Sequence, residues 1–326
     1  MAYQKAKIEF AREKYQAAQE AFAPYWRSPP EEVEWEACEL FADLEFRLAR
    51  AAGQSEKDAT RRVVERLAAM QTAHPQLPPL ALTLAQWQVK ASDYAAAVKG
   101  LSGLLESAPG WEVWTTLRDA HWKAADWDAL ASLLQRATLE ASLAQVEELV
   151  EPLREDAKAK AALVERLEKR AKSRLPGAAL LGAVVALRDE RFDDADRLFA
   201  QASGEEKPGR ATVYQGWGLG MFAADQAPRA ERVFRQALDD DAKPEFAGSY
   251  YYFLAGSLEL QGKTDAALEA ARKAAELGGN NPQFHLRLAW IPFHARRYDQ
   301  AVAEYRRLLA KFEAAGPHPA LRAASR

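Results

Sequence analysis

The sequence is poor in cysteine. Cys38 is the only cysteine among 326 residues, so an intramolecular disulfide is excluded. This scarcity is typical of proteins from a reducing compartment, and we expect a cytoplasmic location. Cys38 lies in the segment Trp35-Glu-Ala-Cys38-Glu-Leu-Phe41, which has helical character. We therefore predict a small buried side chain at this position rather than a reactive thiol.

Long apolar runs and an excess of one charge are also missing. The longest apolar stretch, Leu175 to Leu187, contains a proline and is shorter than the roughly 20 residues that span a membrane. The first ten residues have the pattern of an amphipathic helix rather than of a secretory signal. The net charge is −3 and the pI about 6.1, whereas nucleic-acid-binding domains carry a basic stripe. We expect neither membrane insertion nor nucleic-acid binding.

Sequence motifs for catalysis are absent as well. Residues 204–211 have the glycine spacing of a phosphate-binding loop, but Arg210 and Ala211 stand where Lys and Ser or Thr are required. No two of the five histidines are four residues apart, the spacing that places two metal ligands on one helix face. We predict no catalytic residue, no metal site and no cofactor, and therefore a protein that is not an enzyme.

What the sequence does contain is an internal repeat of helical type. Each unit has a small or apolar residue followed four positions later by a second one, a spacing that places both on one helix face. The six pairs are Ala97/Leu101, Leu130/Leu134, Ala195/Phe199, Ala230/Phe234, Ala267/Ala271 and Ala301/Tyr305. Their successive separations are 33, 65, 35, 37 and 34 residues. Because 65 is close to two repeats, we predict one degenerate unit over residues 143–176.

A second helical segment precedes these pairs in register. Small residues stand at Gly218, Ala255 and Ala289, each directly after a large apolar residue. A small residue at this position lets two helices approach closely. Arg118 occupies the same position in another unit, which predicts a looser hairpin there. Pro292 lies inside one of these helices and predicts a kink or an early end.

This pattern resembles the tetratricopeptide repeat of bacterial proteins, a helix–turn–helix of roughly 34 residues with W-x2-L-G-x2-Y, A-x3-F and Pro positions. The resemblance covers roughly residues 81–313 and includes Pro109 at a closing position. It implies an all-α fold, a right-handed α-solenoid of stacked helix–turn–helix repeats. We divide the chain into degenerate N-terminal helical repeats (1–75), repeats of this type (76–142), a degenerate repeat (143–176), further repeats (177–315) and a tail (316–326).

The resemblance also implies that the chain binds other proteins. Proteins of this family line a concave groove with the first helices of their repeats, and the groove holds a protein or peptide ligand. Trp, Tyr and Arg are enriched among the residues that dominate binding energy. Packing inside the repeats is the other interpretation of the tryptophans. We predict five contacts with a partner: Trp87, Trp122, Tyr252, Arg287 and Trp290.

Other functions stay open at this point. Neither end of the sequence has a polar capping helix, which solenoids need for solubility. One alternative is therefore a self-assembling structural module that associates through its solenoid ends. Another is a fragment of a larger repeat protein. An enzyme built on a helical superhelix would need two convergent titratable groups, which no motif supplies.

Overall fold

A computed structural model presents the protein as a succession of helices. It describes residues 1–30, 33–107, 110–207, 209–240, 244–279 and 281–313; Pro109 and the predicted tail 316–326 lie outside them. The described residues form eighteen α-helices and one 3-10 turn, and they contain no β-strand. The all-α class predicted from the sequence is confirmed.

The helices are short and follow one another closely. The first ten are α1 (Ala2–Ala11), α2 (Tyr15–Arg27), α3 (Trp35–Ala51), α4 (Glu56–Ala73), α5 (Pro78–Lys90), α6 (Tyr94–Ser107), α7 (Trp111–Lys123), α8 (Trp127–Glu140), α9 (Leu143–Val150) and α10 (Ala157–Lys172). The 3-10 turn Glu151–Leu153 follows α9. The remaining eight are α11 (Ala178–Arg188), α12 (Phe192–Ser203), α13 (Arg210–Ala223), α14 (Ala227–Asp240), α15 (Pro244–Leu260), α16 (Thr264–Leu277), α17 (Pro282–His294) and α18 (Tyr298–Glu313).

The chain divides into two compact units. Unit 1 comprises Met1–Leu134 and Glu148–Arg166, and unit 2 comprises Gln135–Glu147 and the described chain from Leu167 onwards. The segment 143–176, predicted as a degenerate repeat, contains a short α9 and a long α10 and contributes to both units. The finer division into groups of repeats stays a prediction.

Within each unit, consecutive helices pack as hairpins. In unit 1 the hairpins are α1/α2, α3/α4 and α5/α6, and in unit 2 they are α11/α12, α13/α14, α15/α16 and α17/α18. Each first helix also contacts the first helix of the next hairpin, as α3 does with α5, α13 with α15 and α15 with α17. The first helices of a unit therefore form one layer, which we call the first-helix layer.

The repeat positions found in the sequence, except the half-buried Tyr305, line the cores of both units. Ala195, Phe199, Ala230 and Phe234 are fully buried in unit 2. Gly218 on α13 faces the ring of Phe234 on α14, and a Cβ at Gly218 would lie 2.5 Å from the Cε1 of that ring. The small residue is required because the two helices pack too closely for any side chain between them.

Two departures from the repeat pattern are accommodated locally. Arg118 is buried, and its guanidinium pairs with the neighbouring Asp119 at 2.8 Å. The early end predicted from Pro292 is wrong, because α17 continues through it to His294 and has 13 residues, as α7 does. A proline lacks one backbone N–H donor. Pro292 lies in the last turn of α17, where the loss of this one donor does not end the helix.

A feature of the turns was not visible in the sequence. In six of these hairpins, and between α7 and α8, one residue adopts the left-handed backbone conformation five positions before a buried residue of the following helix: Glu13, Ser92, Ala125, Glu190, Asp225, Gly262 and Arg296. This conformation costs a non-glycine residue roughly 1–2 kcal/mol. Because only Gly262 in this set is a glycine, the packing of the hairpins imposes the turn rather than the residue type.

A polar cluster on α12, α13 and α14 joins two neighbouring hairpins. The indole Nε1 of Trp217 donates a hydrogen bond of 2.7 Å to Asp196 Oδ1. The other carboxylate oxygen of Asp196 accepts from Arg229 and lies 2.5 Å from Arg232 Nη2. Asp196 is largely buried, so its charge is compensated by two guanidinium groups and an indole N–H.

Substitution Gly218→Ala tests whether the helix spacing depends on glycine. We expect it to destabilise the chain by about 1–3 kcal/mol, because Phe234 is fully buried and must move. Gly103→Ala in α6 is the control, since a Cβ there meets nothing within 4 Å. It should stabilise by about 0.5–1 kcal/mol through helix propensity. Urea unfolding followed by circular dichroism measures both, and equal effects would contradict the packing argument.

Candidate partner-binding surface

Helices α15 and α17 present a group of aromatic and charged side chains in the first-helix layer of unit 2. On α15, Tyr252, Gly256 and Glu259 follow one another at spacings of four and three residues. On α17, Arg287 and His294 are seven residues apart. These spacings place each set on a single face of its helix. Since the two helices contact each other, the two faces adjoin.

The ring of Tyr252 occupies the centre of this region. It stacks on Phe284 with 5.1 Å between ring centroids, and the guanidinium carbon of Arg287 lies 4.3 Å from its centroid. Gly256 makes this arrangement possible, because a Cβ there would lie 2.9 Å from Arg287 Nη1. The half-buried Tyr252 is thus held between an aromatic ring and a cation.

Glu259 connects the two helices electrostatically. One carboxylate oxygen accepts a hydrogen bond from Arg287 Nη1 at 3.1 Å, and the other lies 2.8 Å from His294 Nδ1. The side chains of Arg287 and Glu259 are each only 16% exposed, whereas that of His294 is 46% exposed. A partly buried pair of this kind fixes the orientation of the guanidinium. The carboxylate of Glu259 partly neutralises the charge of Arg287.

Trp290 extends the group towards solvent. Its side chain is exposed, and its ring centroid lies 4.5 Å from that of His294 in an edge-on arrangement. The contacts are therefore continuous from one end of the group to the other. We call this group the aromatic–arginine surface: Tyr252, Glu259, Phe284, Arg287, Trp290 and His294.

The structure brings together three of the five residues that the sequence analysis named, Tyr252, Arg287 and Trp290. Phe284, Glu259 and His294 were missed. His294 could have been found, because it lies seven residues after Arg287 and therefore on the same face of α17. Glu259 could not, because no pattern within one helix indicates a pairing with a residue of another helix. The role of these residues in binding stays a prediction.

Trp87, predicted from the sequence as a contact residue, lies in the core instead. It is buried, packs 5.5 Å from the ring of Phe46, and lies under the ammonium group of Lys90. Its side chain is therefore not presented to a partner. The reason is that α3 and α5 contact each other, which covers this side of α5.

Trp122 is half-buried and already uses its polar atom within unit 1. Its indole Nε1 donates a hydrogen bond of 2.8 Å to Asp156 Oδ2. Asp156 also accepts from the backbone N–H of Ala159, and these bonds lower the pKa of its carboxyl group. Trp122 thus fastens the start of α10 within unit 1, whereas α15 and α17 belong to unit 2.

The structure also shows the arrangement of potential metal ligands, the character of the helices and the environment of Cys38. Among the described residues, no group of three or more His, Cys, Asp or Glu is arranged to hold a metal ion. No helix in the described part of the chain is both long and apolar enough to cross a membrane. Cys38 is fully buried, and burial raises the pKa of its thiol to about 12, with a smaller opposing effect from Thr83.

The burial of Cys38 generates a labelling prediction. We expect the native protein to resist a thiol reagent at pH 8, because little thiolate forms when the pKa lies near 12 and the side chain is inaccessible. Denaturation should release one reactive thiol per chain. Mass spectrometry after timed labelling measures this, and rapid labelling of the folded chain would contradict the burial.

A comparison of two neighbouring aromatics tests which side chains support the fold. Both side chains are half-buried, but Phe253 stacks at 5.8 Å on the core residue Phe234, whereas Tyr252 packs on Phe284 and Arg287. We expect Phe253→Ala to cost about 2–4 kcal/mol and Tyr252→Ala about 1 kcal/mol or less. Thermal unfolding of both variants decides this, and a reversed order would mean that Tyr252 belongs to the core.

No protein-family model matches the chain, and no curated protein sequence does. Among solved structures, it is similar to a tetratricopeptide repeat protein from Parabacteroides merdae, with 13% identity over 89% of this chain and 97% of that one and a TM-score of 0.32. It is also similar to the C-terminal part of a TPR repeat-containing protein from Cytophaga hutchinsonii, with 14% identity over 70% and 94% and a TM-score of 0.39. PilF of Pseudomonas aeruginosa is 16% identical over 72% and 90%, with a TM-score of 0.33. The repeat motif of the sequence and the hairpin packing of the structure together identify the fold as a helical repeat of tetratricopeptide type.

Proposed function

We propose that the chain is a non-catalytic scaffold that binds a protein or peptide partner through the aromatic–arginine surface. The observation that carries the proposal is the contact of Tyr252 with both Phe284 and Arg287, on two adjacent first helices. Tyr, Trp and Arg are the residue types that dominate binding energy at protein interfaces. They occur here side by side, in the layer that lines the groove in the family that the sequence resembles.

The surface is ordered before any ligand arrives. Glu259 holds the guanidinium of Arg287 at 3.1 Å, and Phe284 supports the ring of Tyr252. Side chains that are already fixed lose little conformational entropy on binding, which increases affinity. We infer that the unbound and bound conformations of these side chains are alike.

The chemistry of the surface favours an apolar anchor in the ligand. Glu259 offsets the charge of Arg287, so a strongly acidic ligand gains less here than at an unpaired arginine. The rings of Tyr252 and Trp290 supply the larger part of the contact area. We therefore propose a ligand segment with one or two aromatic or branched apolar side chains, and with polar groups that reach Arg287 or His294.

Peptides selected by display against the immobilised chain provide the ligand for a binding test. We expect Arg287→Ala to weaken their binding about 30-fold, the effect of removing a residue worth about 2 kcal/mol. Arg235→Ala is the matched control, because Arg235 also pairs with a glutamate, Glu231 at 2.8 Å, but lies on the second helix α14. Isothermal titration calorimetry gives the dissociation constants.

The two arginine variants distinguish the proposal from general charge effects. Arg235→Ala should bind as the unaltered chain does, and Tyr252→Ala should resemble Arg287→Ala. If both arginine variants bind equally well, the aromatic–arginine surface is not where the selected peptides bind. Selection that yields no enriched peptide would contradict peptide binding altogether.

A further inference from the structure

The last described hairpin, α17/α18, has a group of large apolar side chains that are exposed. Phe293 is 49% exposed, Tyr298 56% and Val302 48%. The rings of Phe293 and Tyr298 lie edge-on, 6.0 Å apart, so these side chains form one patch. Contiguous exposed apolar surface of this kind marks an interaction site.

The sequence of α18 places this patch on a continuous face. Tyr298, Val302, Tyr305 and Leu309 are separated by four, three and four residues and therefore form one stripe along the helix. Ala301 and Leu308 adjoin the stripe on one side and are buried, Leu308 against Leu286 of α17. Tyr305 and Leu309 are half-buried beside this packed face, whereas Tyr298 and Val302 are exposed.

Two charged residues flank the stripe. Asp299 and Arg306 are seven residues apart, so they lie on the same side of α18, two turns from each other. Both are exposed, and among the described residues neither has an ion-pair partner, whereas Arg297 pairs with Asp265 and Arg307 with Glu304. The unpaired charges are opposite in sign, and the midpoint between them in sequence falls between Val302 and Ala303.

We propose that a second copy of this chain packs on this face, with the two α18 helices antiparallel about a twofold axis near Val302. In a twofold interface each residue meets the one at the same distance on the other side of the axis. Antiparallel helices also bring the same flank of both copies together. Asp299 of each copy therefore meets Arg306 of the other, while Tyr298 and Val302 are covered by the stripe of the other copy.

The charge spacing favours a second copy over an unrelated partner. An unrelated protein would need its own complementary pair at the same separation, whereas the twofold axis supplies it from the same two residues. Flanking charges of this kind determine the orientation and choice of partner in helix pairs. The proposal does not depend on the aromatic–arginine surface, because Asp299 and Arg306 lie outside that group.

Light scattering coupled to size exclusion, from micromolar to millimolar concentration, tests the assembly. The unaltered chain should move from 36.2 kDa towards twice that mass. Asp299→Arg and Arg306→Asp should each raise the dimer dissociation constant about tenfold or more, because like charges then meet at both ends of the interface. An equimolar mixture of the two variants should recover the dimer, since each then supplies the charge that the other needs.

Each outcome has a definite meaning. A chain that stays at 36.2 kDa throughout the range overturns the proposal. A dimer that persists undiminished in both single variants overturns the antiparallel register. Recovery on mixing supports it, and failure to recover, with both variants folded by circular dichroism, contradicts it.

A cysteine at the axis provides an independent check. Val302→Cys should form a disulfide between two copies under mild oxidation, because residue 302 lies next to its counterpart in the proposed dimer. The native Cys38 is fully buried and does not interfere. Arg235→Cys on α14 is the control and should remain monomeric. Equal cross-linking of both variants, or none of Val302→Cys, would rule out this packing.

Discussion

The absence of a side chain at Gly218 determines how closely α13 and α14 pack. The ring of Phe234 occupies the space where a Cβ would stand, and it is fully buried there. The same ring stacks on Phe253 of the next hairpin. One aromatic side chain thus sets the distance between helices within a hairpin and connects that hairpin to its neighbour. A single hairpin cannot bury such a face, so stacking holds the fold together.

The fold was predictable because its defining contacts recur at fixed intervals. Ala195 and Phe199, like Ala230 and Phe234, are four residues apart and are buried together, as the repeat pattern predicts. Such positions can be read from one sequence, since every repeat supplies another example. The turns between the helices were less predictable. Residues as different as Asp225 and Ala125 adopt the same left-handed conformation, so no residue type indicated it.

The candidate surface was predictable only in part. Residue type and helix position singled out Tyr252, Arg287 and Trp290, but the same criteria singled out Trp87, which is covered. Exposure depends on what a neighbouring hairpin places opposite a residue. Phe46 decides this for Trp87, and it is 41 positions away in sequence. The pairing of Glu259 with Arg287, and the cluster around Asp196, likewise join different hairpins and leave no periodic signal.

The aromatic–arginine surface is assembled from two hairpins, and this has a mechanical consequence. Tyr252 and Glu259 belong to one hairpin, whereas Phe284, Arg287 and His294 belong to the next. In a stack of repeats, small rotations between neighbours are the softest motions, because each repeat contacts only the adjacent ones. Bending at this junction changes the distance between Tyr252 and Phe284 before it disturbs either hairpin. A ligand that contacts Tyr252 and Phe284 together would therefore bridge two hairpins and oppose rotation between them.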